Sequence, residues 1–300
     1  FILMLYRDYK TGVGLRPKHY HLFEEALPKG IHWVEVISEN YMLWENHRND
    51  RPLKNLLRIR PHAPVALHGV SLSIGSADSL NKNYLKCLKS LIKDVEPIMV
   101  SDHLCWTGLN RLNSHDLLPI PYNGTTLKHV KERVDQVQNF LGRTILLENA
   151  SSYVEFAHSE IPEWDFLVEL SRKSGCGILL DINNVYVSAR NHGFNPMTYL
   201  RAIPPALVGQ VHLAGHLDKG DHIVDTHDRQ VCDDVWKLFQ WWVNNNGLQS
   251  TMIEWDSKIP EWSVIHSEVS KVERIRKRSL EQRRPNNIRS NREAEWNVSL

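Results

Sequence analysis

The sequence of 300 residues contains few cysteines and no long apolar run. Its four cysteines are Cys87, Cys105, Cys176 and Cys232, which lie far apart and form no C-x-x-C pair. This spacing indicates neither a thiolate zinc site nor a disulfide framework, and it is typical of small core residues in a reducing compartment. The apolar opening at residues 1–5 is too short for a secretion signal, and no other run approaches the length of a membrane span. We therefore expect a cytoplasmic protein with no membrane partner.

Net charge is nearly absent as well. The 36 basic and 35 acidic residues leave a formal charge of +1, which provides no overall electrostatic attraction for nucleic acid or an anionic membrane. We expect no nucleic-acid partner. The apolar fraction of 42% is enough to bury one large core, and the length suits a single α/β barrel.

Short apolar runs alternate with segments of helical period about eight times along the chain. The predicted strands are 12–15, 31–37, 64–68, 97–103, 144–148, the run that begins at Gly177, 208–213 and 250–255. The predicted helices are one opened by Pro17 through about Leu27, and others near 81–94, 124–141, 162–173, 196–202 and 232–245. Eight β-then-α units in this length favour a closed parallel TIM barrel over an open sheet.

Two segments depart from this alternation. Residues 104–122 are long for a connection between a strand and a helix, and we expect them to cover the mouth of the barrel. After about Ser267 the composition becomes basic and rich in Asn. We therefore predict one barrel domain over residues 1–267 and a tail over 268–300, which would be a frayed helix or disordered.

Residues that can bind a metal follow the apolar runs. The run from Gly177 leads directly into Asp181, Asn183 and Asn184, a pattern that is also good turn chemistry. The same pattern ends strands three to eight, and the resulting candidate ligands are His68, His103, Glu148, Asp181 with Asn184, His212 and Glu254, joined by Asp225 and His227 in the loop after strand seven. Because parallel barrel strands point the same way, these side chains should meet at one rim.

Each candidate alone has a structural explanation, since a single histidine at a strand end is usually hydrogen-bonded and a single carboxylate often caps a helix. Their joint occurrence favours a metal site, because an apolar barrel cannot bury several of them unpaired. Imidazole, carboxylate and amide ligands without thiolate suit iron, manganese or zinc. The ligands exceed the needs of one ion, and we divide them among three: His68, His103 and Glu148; Glu148, Asp181, His212 and Glu254; and, most weakly, Asn184, Asp225 and His227. Glu148 would bridge the first two ions, and the predicted outer or alternative ligands are Asp102, His192 and His216.

Several motifs in order resemble the DUF692 family, the multinuclear non-heme iron-dependent oxidative enzymes. The matching segments are 38–41, 68–73, 101–106, 116–121, 132–138, 148–153, 181–188, 191–194, 212–216 and 253–256, and the resemblance spans about residues 12–265. It implies a TIM barrel of the xylose isomerase type, with the metal site at the C-terminal rim of its strands. It also implies two or three irons and O₂-dependent oxidative modification of a ribosomally synthesised peptide, commonly at cysteine. A small partner protein would present this cysteine-containing precursor peptide.

From the ligand pattern we predict Glu148, Asp181 and His212 as catalytic residues. Residues 39–41, which are Glu39, Asn40 and Tyr41, are expected to contact the substrate, with Glu35 and Trp44 at the same rim. Two other function classes remain open.

The first is a zinc- or manganese-dependent hydrolase or isomerase on the same barrel, such as an apurinic endonuclease-like phosphoesterase. In those endonucleases a histidine stands three residues after the strand-six aspartate, where this chain has Asn184, which counts against that assignment. The second is a non-catalytic peptide-binding or metal-storage module. Metal identity and oxidation state would separate the oxidative enzyme from the hydrolase.

Overall fold

Eight parallel strands close into a barrel in the computed structural model, which describes residues 6–44, 49–110 and 112–295, without the side chains of 283–295. The barrel strands are β1 (Thr11–Gly14), β2 (Trp33–Ile37), β3 (Val65–Gly69), β4 (Met99–His103), β7 (Leu146–Glu148), β8 (Gly177–Asp181), β9 (Val208–Leu213) and β12 (Ser250–Ile253). They follow one another around the barrel in chain order, and β12 pairs with β1 to close it. The predicted fold is confirmed.

Eight α-helices within the described ranges pack around these strands. They are α1 (Arg51–Ile59), α2 (Lys82–Val95), α3 (Gly124–Leu141), α4 (Glu163–Ser174), α5 (Ile182–His192), α6 (Pro196–Ala202), α7 (Asp233–Asn246) and α8 (Trp262–Glu295). The helix predicted from Pro17 to Leu27 is wrong in extent. Only a 3-10 helix over Pro17–Leu22 forms, and no side chain caps its start at Arg16. No helix in the described ranges is both long and apolar enough to cross a membrane.

An apolar layer fills the lower barrel beneath the strand ends. Its buried members come from six different strands: Trp33, Ala66, Met99, Leu146, Leu179 and Met252. Gly12 makes room for the Trp33 ring, because a Cβ at this position would lie 2.3 Å from Cε2 of the indole. Side chains alternate between the two faces of a strand, so the residue two positions further along again points inward. Four of those next inward positions carry predicted ligands, for example His68 after Ala66 and Glu148 after Leu146.

Strand register places several of these ligands side by side. His103 on β4 is the partner of Glu148 on β7, and Asp181 on β8 is the partner of His212 on β9. Residues that are 45 and 31 positions apart in sequence therefore become neighbours at one end of the barrel.

The long connection after β4 forms an antiparallel hairpin, with β5 at Trp106–Leu109 and β6 at Leu112–Leu118. It leaves the barrel beside the ligand layer, since the Leu104 backbone N–H donates to the Glu148 carbonyl at 2.9 Å. A second small hairpin pairs β10 (Leu217–Asp218) with β11 (Ile223–Val224) in the loop after β9.

The last helix crosses the domain boundary that we expected at residue 267. Val269 and Val272 are buried, and the Arg276 guanidinium donates to the Gln249 carbonyl at 2.7 Å. The first turns of the expected tail are therefore a packed part of the barrel domain. The basic composition hides this face, because the apolar residues recur only every three or four positions.

Candidate metal centre

Glu148 lies at the middle of a buried cluster of imidazoles and carboxylates. Its Oε2 lies 3.2 Å from His68 Nε2 and 3.4 Å from His103 Nε2, whereas its Oε1 lies 3.8 Å from His212 Nδ1. Glu148 and His212 are both fully buried. The two carboxylate oxygens thus face different histidines, which is the arrangement that a carboxylate bridging two ions requires.

Among the residues that the structure describes, three groups of side chains could each hold a metal ion. They are His68, His103 and Glu148; Glu148, Asp181, His212 and Glu254; and His227, Glu254 and Asp256. The first two groups have the composition that we predicted for the first two ions. Glu148 is common to both.

The third group differs from the predicted set of Asn184, Asp225 and His227. His227 Nδ1 lies 3.0 Å from Asp256 Oδ2, and Glu254 Oε2 lies 3.3 Å from the same nitrogen. The opposite nitrogen, Nε2, lies 2.6 Å from Asp225 Oδ1. His227 therefore has carboxylates on both sides, and Asp256 is a candidate ligand that the sequence pattern did not single out.

Asn184 lies on the first turn of α5, directly behind Glu148. Its Nδ2 is 3.3 Å from Glu148 Oε1 and 3.1 Å from the Asn149 carbonyl, so the amide donates to the predicted bridge. Asp181 caps this helix by accepting from the Asn184 backbone N–H at 2.6 Å. Asp181 can therefore cap the helix and also bind a metal, because capping occupies only one of its two carboxylate oxygens.

Six of these side chains carry a buried polar atom without a hydrogen-bond partner among the described residues. The atoms are Glu148 Oε2, Asp181 Oδ2, Asn184 Oδ1, His212 Nδ1, His227 Nε2 and Glu254 Oε2. The two imidazole nitrogens lie close to carboxylates, at 2.6 Å for His227 Nε2 and Asp225 Oδ1, but without the alignment of a hydrogen bond. Leaving a buried polar atom unsatisfied costs about 1–3 kcal/mol, and more for a charged group. Cations placed among these atoms would satisfy them, so the donor set fits a metal centre.

Neighbouring groups orient the histidine rings toward Glu148. His103 Nδ1 donates to the Gly69 carbonyl at 3.1 Å, and His68 Nδ1 lies 2.8 Å from the Ser101 hydroxyl. Both rings are thereby left with Nε2 as the nitrogen available to a metal. A partner on the far ring nitrogen is the usual way in which proteins fix a ligating histidine.

Glu35 orients the His212 ring so that Nδ1, and not Nε2, faces the cluster. Glu35 Oε1 lies 3.0 Å from His212 Nε2, and Gln210 Nε2 donates to the other Glu35 oxygen at 2.5 Å. His212 therefore presents Nδ1 to Glu148 and Glu254. We had expected Glu35 at the substrate rim, but it is buried inside the barrel, because it follows Trp33 by two positions on β2. The sequence feature that indicates this buried position is an acidic residue within an otherwise apolar strand.

Burial and neighbouring charges shift the pKa values of several groups in the cluster. Burial raises the pKa of Glu148 well above its usual range and that of Asp181 to about 7. Burial lowers the pKa of His103 to about 4. Burial alone would also lower the pKa of His212, but Glu35, Glu254 and Glu148 raise it well above the usual range. The shifted pKa values show that the buried charges of these side chains do not fully compensate one another. Metal binding would displace protons from such groups.

The three predicted substrate-contact residues lie in different surroundings. Glu39 Oε1 accepts from the Val70 backbone N–H at 2.9 Å and from the Tyr84 hydroxyl at 2.8 Å, whereas Asn40 is exposed. Tyr41 is buried, and its hydroxyl contacts that of Tyr20. Their role in substrate binding stays a prediction, and only Asn40 has an exposed side chain.

The predicted outer residues also separate. Asp102 accepts from the backbone N–H groups of His103 at 2.8 Å and Leu72 at 3.2 Å, which ties the loop after β3 to the end of β4. His216 Nδ1 lies 2.8 Å from Asn183 Oδ1, and Asn183 in turn donates to Asp225 Oδ1 at 2.8 Å. His192 lies apart from the cluster, where its Nε2 is 2.6 Å from the Ser152 hydroxyl.

Comparison with solved structures supports the barrel assignment. The chain resembles an L-ribulose 3-epimerase with a TM-score of 0.57 and 14% identity, covering 97% of this chain and 98% of the other. It also resembles a xylose isomerase domain containing protein from Salmonella typhimurium with a TM-score of 0.57 and 13% identity, covering 93% and 98% of the two chains. At this identity the likeness shows the fold alone.

Sequence comparison is more specific. A UPF0276 protein of Anaeromyxobacter sp. strain Fw109-5 is 52% identical over 251 residues, which cover 83% of this chain and 86% of that protein. The sequence model described as RiPP precursor modification enzyme MbnB/TglH/ChrH matches residues 10–277, where RiPP denotes a ribosomally synthesised and post-translationally modified peptide. The chain therefore belongs to the MbnB/TglH/ChrH family of RiPP precursor modification enzymes, the DUF692 family that its motifs resemble.

Proposed function

We propose that this protein is an iron-dependent oxidative enzyme that uses O₂ to modify a ribosomally synthesised precursor peptide at a cysteine. The observation that carries the proposal is the position of Glu148, whose two oxygens face separate sets of imidazoles in a buried, thiolate-free cluster. A mononuclear site does not need this arrangement. Imidazole and carboxylate ligands suit iron, and they equally suit zinc or manganese, so the metal must be measured.

The residues would divide the work as follows. His68 and His103 would hold one ion through their Nε2 atoms, and His212, Asp181 and Glu254 would hold the second, with Glu148 between them. His227 would hold a third ion together with Asp225 or with Asp256. When bound, iron would supply electron transfer from the substrate to O₂ and a positive charge that stabilises a substrate thiolate.

The chain itself contributes orientation and exclusion of water. Glu35 keeps His212 Nε2 occupied, so Nδ1 remains directed into the cluster at 3.0 Å from Glu254 Oε2. The apolar layer beneath, from Trp33 to Met252, closes the barrel below the ligands. Substrate would therefore approach from the loop side. A small partner protein that presents the precursor peptide remains part of the proposal.

Two measurements on one preparation test this function. Full-length protein expressed in iron-replete medium and purified anaerobically should contain two or three irons per chain by elemental analysis, with a Mössbauer signature of coupled ions. Addition of precursor peptide, partner protein and O₂ should consume O₂ and change the peptide mass. His103→Ala should lose metal, whereas His222→Ala should retain it, because His222 is exposed and pairs with Asp221 outside the cluster.

The hydrolase alternative predicts a different pattern. A preparation that contains only zinc and acts without consuming O₂ would contradict the oxidative assignment. Iron in the expected amount, with no O₂ consumption in the presence of the peptide and its partner, would contradict it as well.

A further inference from the structure

A cavity of about 450 Å³ lies between the loop after β7 and helices α4 and α5. Ser152, His192 and Glu163 are among the residues that line it. The predicted ligands of the three ions are not among the lining residues that the structure describes. Its volume lies within the range of about 300–1,000 Å³ typical of ligand pockets. Loops that follow barrel strands form the rim where substrates bind, so this cavity is on the functional face.

Charge in the lining is of one sign. Glu155, Glu160 and Glu163 line the cavity, and no Lys or Arg is found among its described lining residues. Glu163 accepts from the Tyr199 hydroxyl at 3.1 Å, which fixes its carboxyl group at the start of α4. The one imidazole, His192, has its Nδ1 3.8 Å from Glu155 Oε1. The cavity is therefore acidic above the pKa of Glu163, which burial raises to about 7, and no Lys or Arg among these residues neutralises Glu160 or Glu163.

The remaining walls are largely apolar, and they include aliphatic as well as aromatic side chains. Tyr122, Phe156, Trp164 and Phe194 line the cavity, and the Trp164 and Phe194 rings are 5.5 Å apart between centroids. Aromatic faces attract cations, and the methylene stems of Lys and Arg pack well on apolar surface. A carboxylate beside aromatic walls therefore suits a side chain that carries a positive charge at the end of an aliphatic chain, which describes Lys and Arg. A neutral apolar side chain would bury the carboxylate without compensation, and an acidic one would be repelled.

We propose that this cavity binds a Lys or Arg side chain of the substrate peptide and so positions the peptide at the adjacent centre. The inference rests on the proposed function for the identity of its ligand as a peptide. The cavity and the centre are linked through consecutive residues, since Ser152 contacts His192 while the Ser151 hydroxyl donates to Asp225 at 3.1 Å. A cationic side chain held in the cavity would place a nearby residue of the peptide toward Asp225.

Capped pentapeptides with one variable residue test the proposal on full-length protein as isolated. The central residue of acetyl-Gly-Gly-Xaa-Gly-Gly-amide is Lys, Arg, norleucine or Glu, and affinity is measured by calorimetry at low salt and above pH 7, where the Glu163 carboxyl group is mostly ionised. The Lys and Arg peptides should bind at least ten-fold more tightly than the norleucine peptide, and the Glu peptide should bind weakest. Equal affinity for Lys and norleucine would overturn the proposal. Butylamine binding as tightly as the Lys peptide would overturn the assignment to a peptide side chain.

Variants then locate the binding. Glu163→Gln keeps an acceptor for Tyr199 but removes the negative charge. It should lower the affinity for the Lys peptide at least ten-fold and leave the affinity for the norleucine peptide unchanged. Glu169→Gln is the matched control, because Glu169 lies on the same helix and pairs with Lys173 at 3.0 Å outside the cavity. Equal affinity of Glu163→Gln and the native protein for the Lys peptide would contradict the location.

The comparison of Lys with norleucine on the native protein decides the charge preference even if a variant fails to fold. The assay involves no oxidation. A negative result therefore leaves the oxidative function intact, and a failure of the oxidative function would not remove the measured preference.

Discussion

Removing Glu35 should weaken metal binding at a site that Glu35 does not itself touch. Its Oε1 lies 3.0 Å from His212 Nε2, which leaves Nδ1 of that ring for the group formed with Glu148, Asp181 and Glu254. Partners of this kind typically contribute 10–100-fold in metal affinity, which corresponds to about 1.4–2.7 kcal/mol.

Two substitutions at this position give an ordered expectation. Glu35→Gln keeps an acceptor and loses the charge, so we expect affinity about ten-fold weaker. Glu35→Leu loses the acceptor as well and should approach 100-fold. Competition against a chelator of known affinity measures both, and elemental analysis shows how many ions remain. The group containing His68 and His103 should keep its ion, because separate contacts from Ser101 and Gly69 orient those rings.

Glu261→Gln provides the control, since Glu261 pairs with Lys18 on the surface at 2.8 Å. The reasoning would be refuted if Glu35→Leu bound metal as tightly as the native protein. Equal loss of every ion would refute it too, because the structure connects Glu35 to His212 and not to His68 or His103.

Three further predictions follow from other contacts. Glu148→Gln should lose two ions and Glu254→Gln should not disturb the ion held by His68 and His103, as metal counting by mass spectrometry under native conditions would show. Glu163 is partly buried, and burial raises its pKa from 4.5 to about 7. Folding therefore favours its protonated form below about pH 7, and stability should fall by at most roughly 3 kcal/mol as pH rises from about 4.5 to 7. Urea unfolding of Glu163→Gln should show a shallower fall of stability with pH, and a pH profile identical to that of the native protein would contradict this. Gly12→Ala should destabilise the barrel by about 1–3 kcal/mol or more, because its Cβ would overlap the Trp33 ring. Gly124→Ala should leave the stability nearly unchanged, because nothing lies within 4 Å of its added Cβ. Thermal unfolding of both glycine variants would measure the difference.

Sequence periodicity was sufficient to predict the barrel and the order of its strands, because buried parallel strands are apolar runs that end in polar residues. The same logic found the ligand layer, since Glu148 and Asp181 each follow an inward-facing leucine by two positions on the strand. Alternation along a strand is a local property, and closure then brings distant strand ends together.

Features that depend on three-dimensional neighbours were harder to foresee. The position of Glu35 behind His212 needs the register of β2 against strands far away in sequence. Asp256 beside His227 needs the path of two loops. The packed start of α8 was missed because its few apolar residues, such as Val269 and Val272, are diluted by charged ones. In each case the side chain's partner is set by closure of the barrel and not by adjacent residues.

The most direct test of the central claim is anomalous X-ray diffraction at the iron edge from crystals of anaerobically purified protein. Two iron peaks should lie on opposite sides of the Glu148 carboxylate, one within coordination distance of His68 and His103 Nε2 and the other within coordination distance of His212 Nδ1. A single peak that does not involve Glu148, or irons bound away from this layer of side chains, would contradict the account.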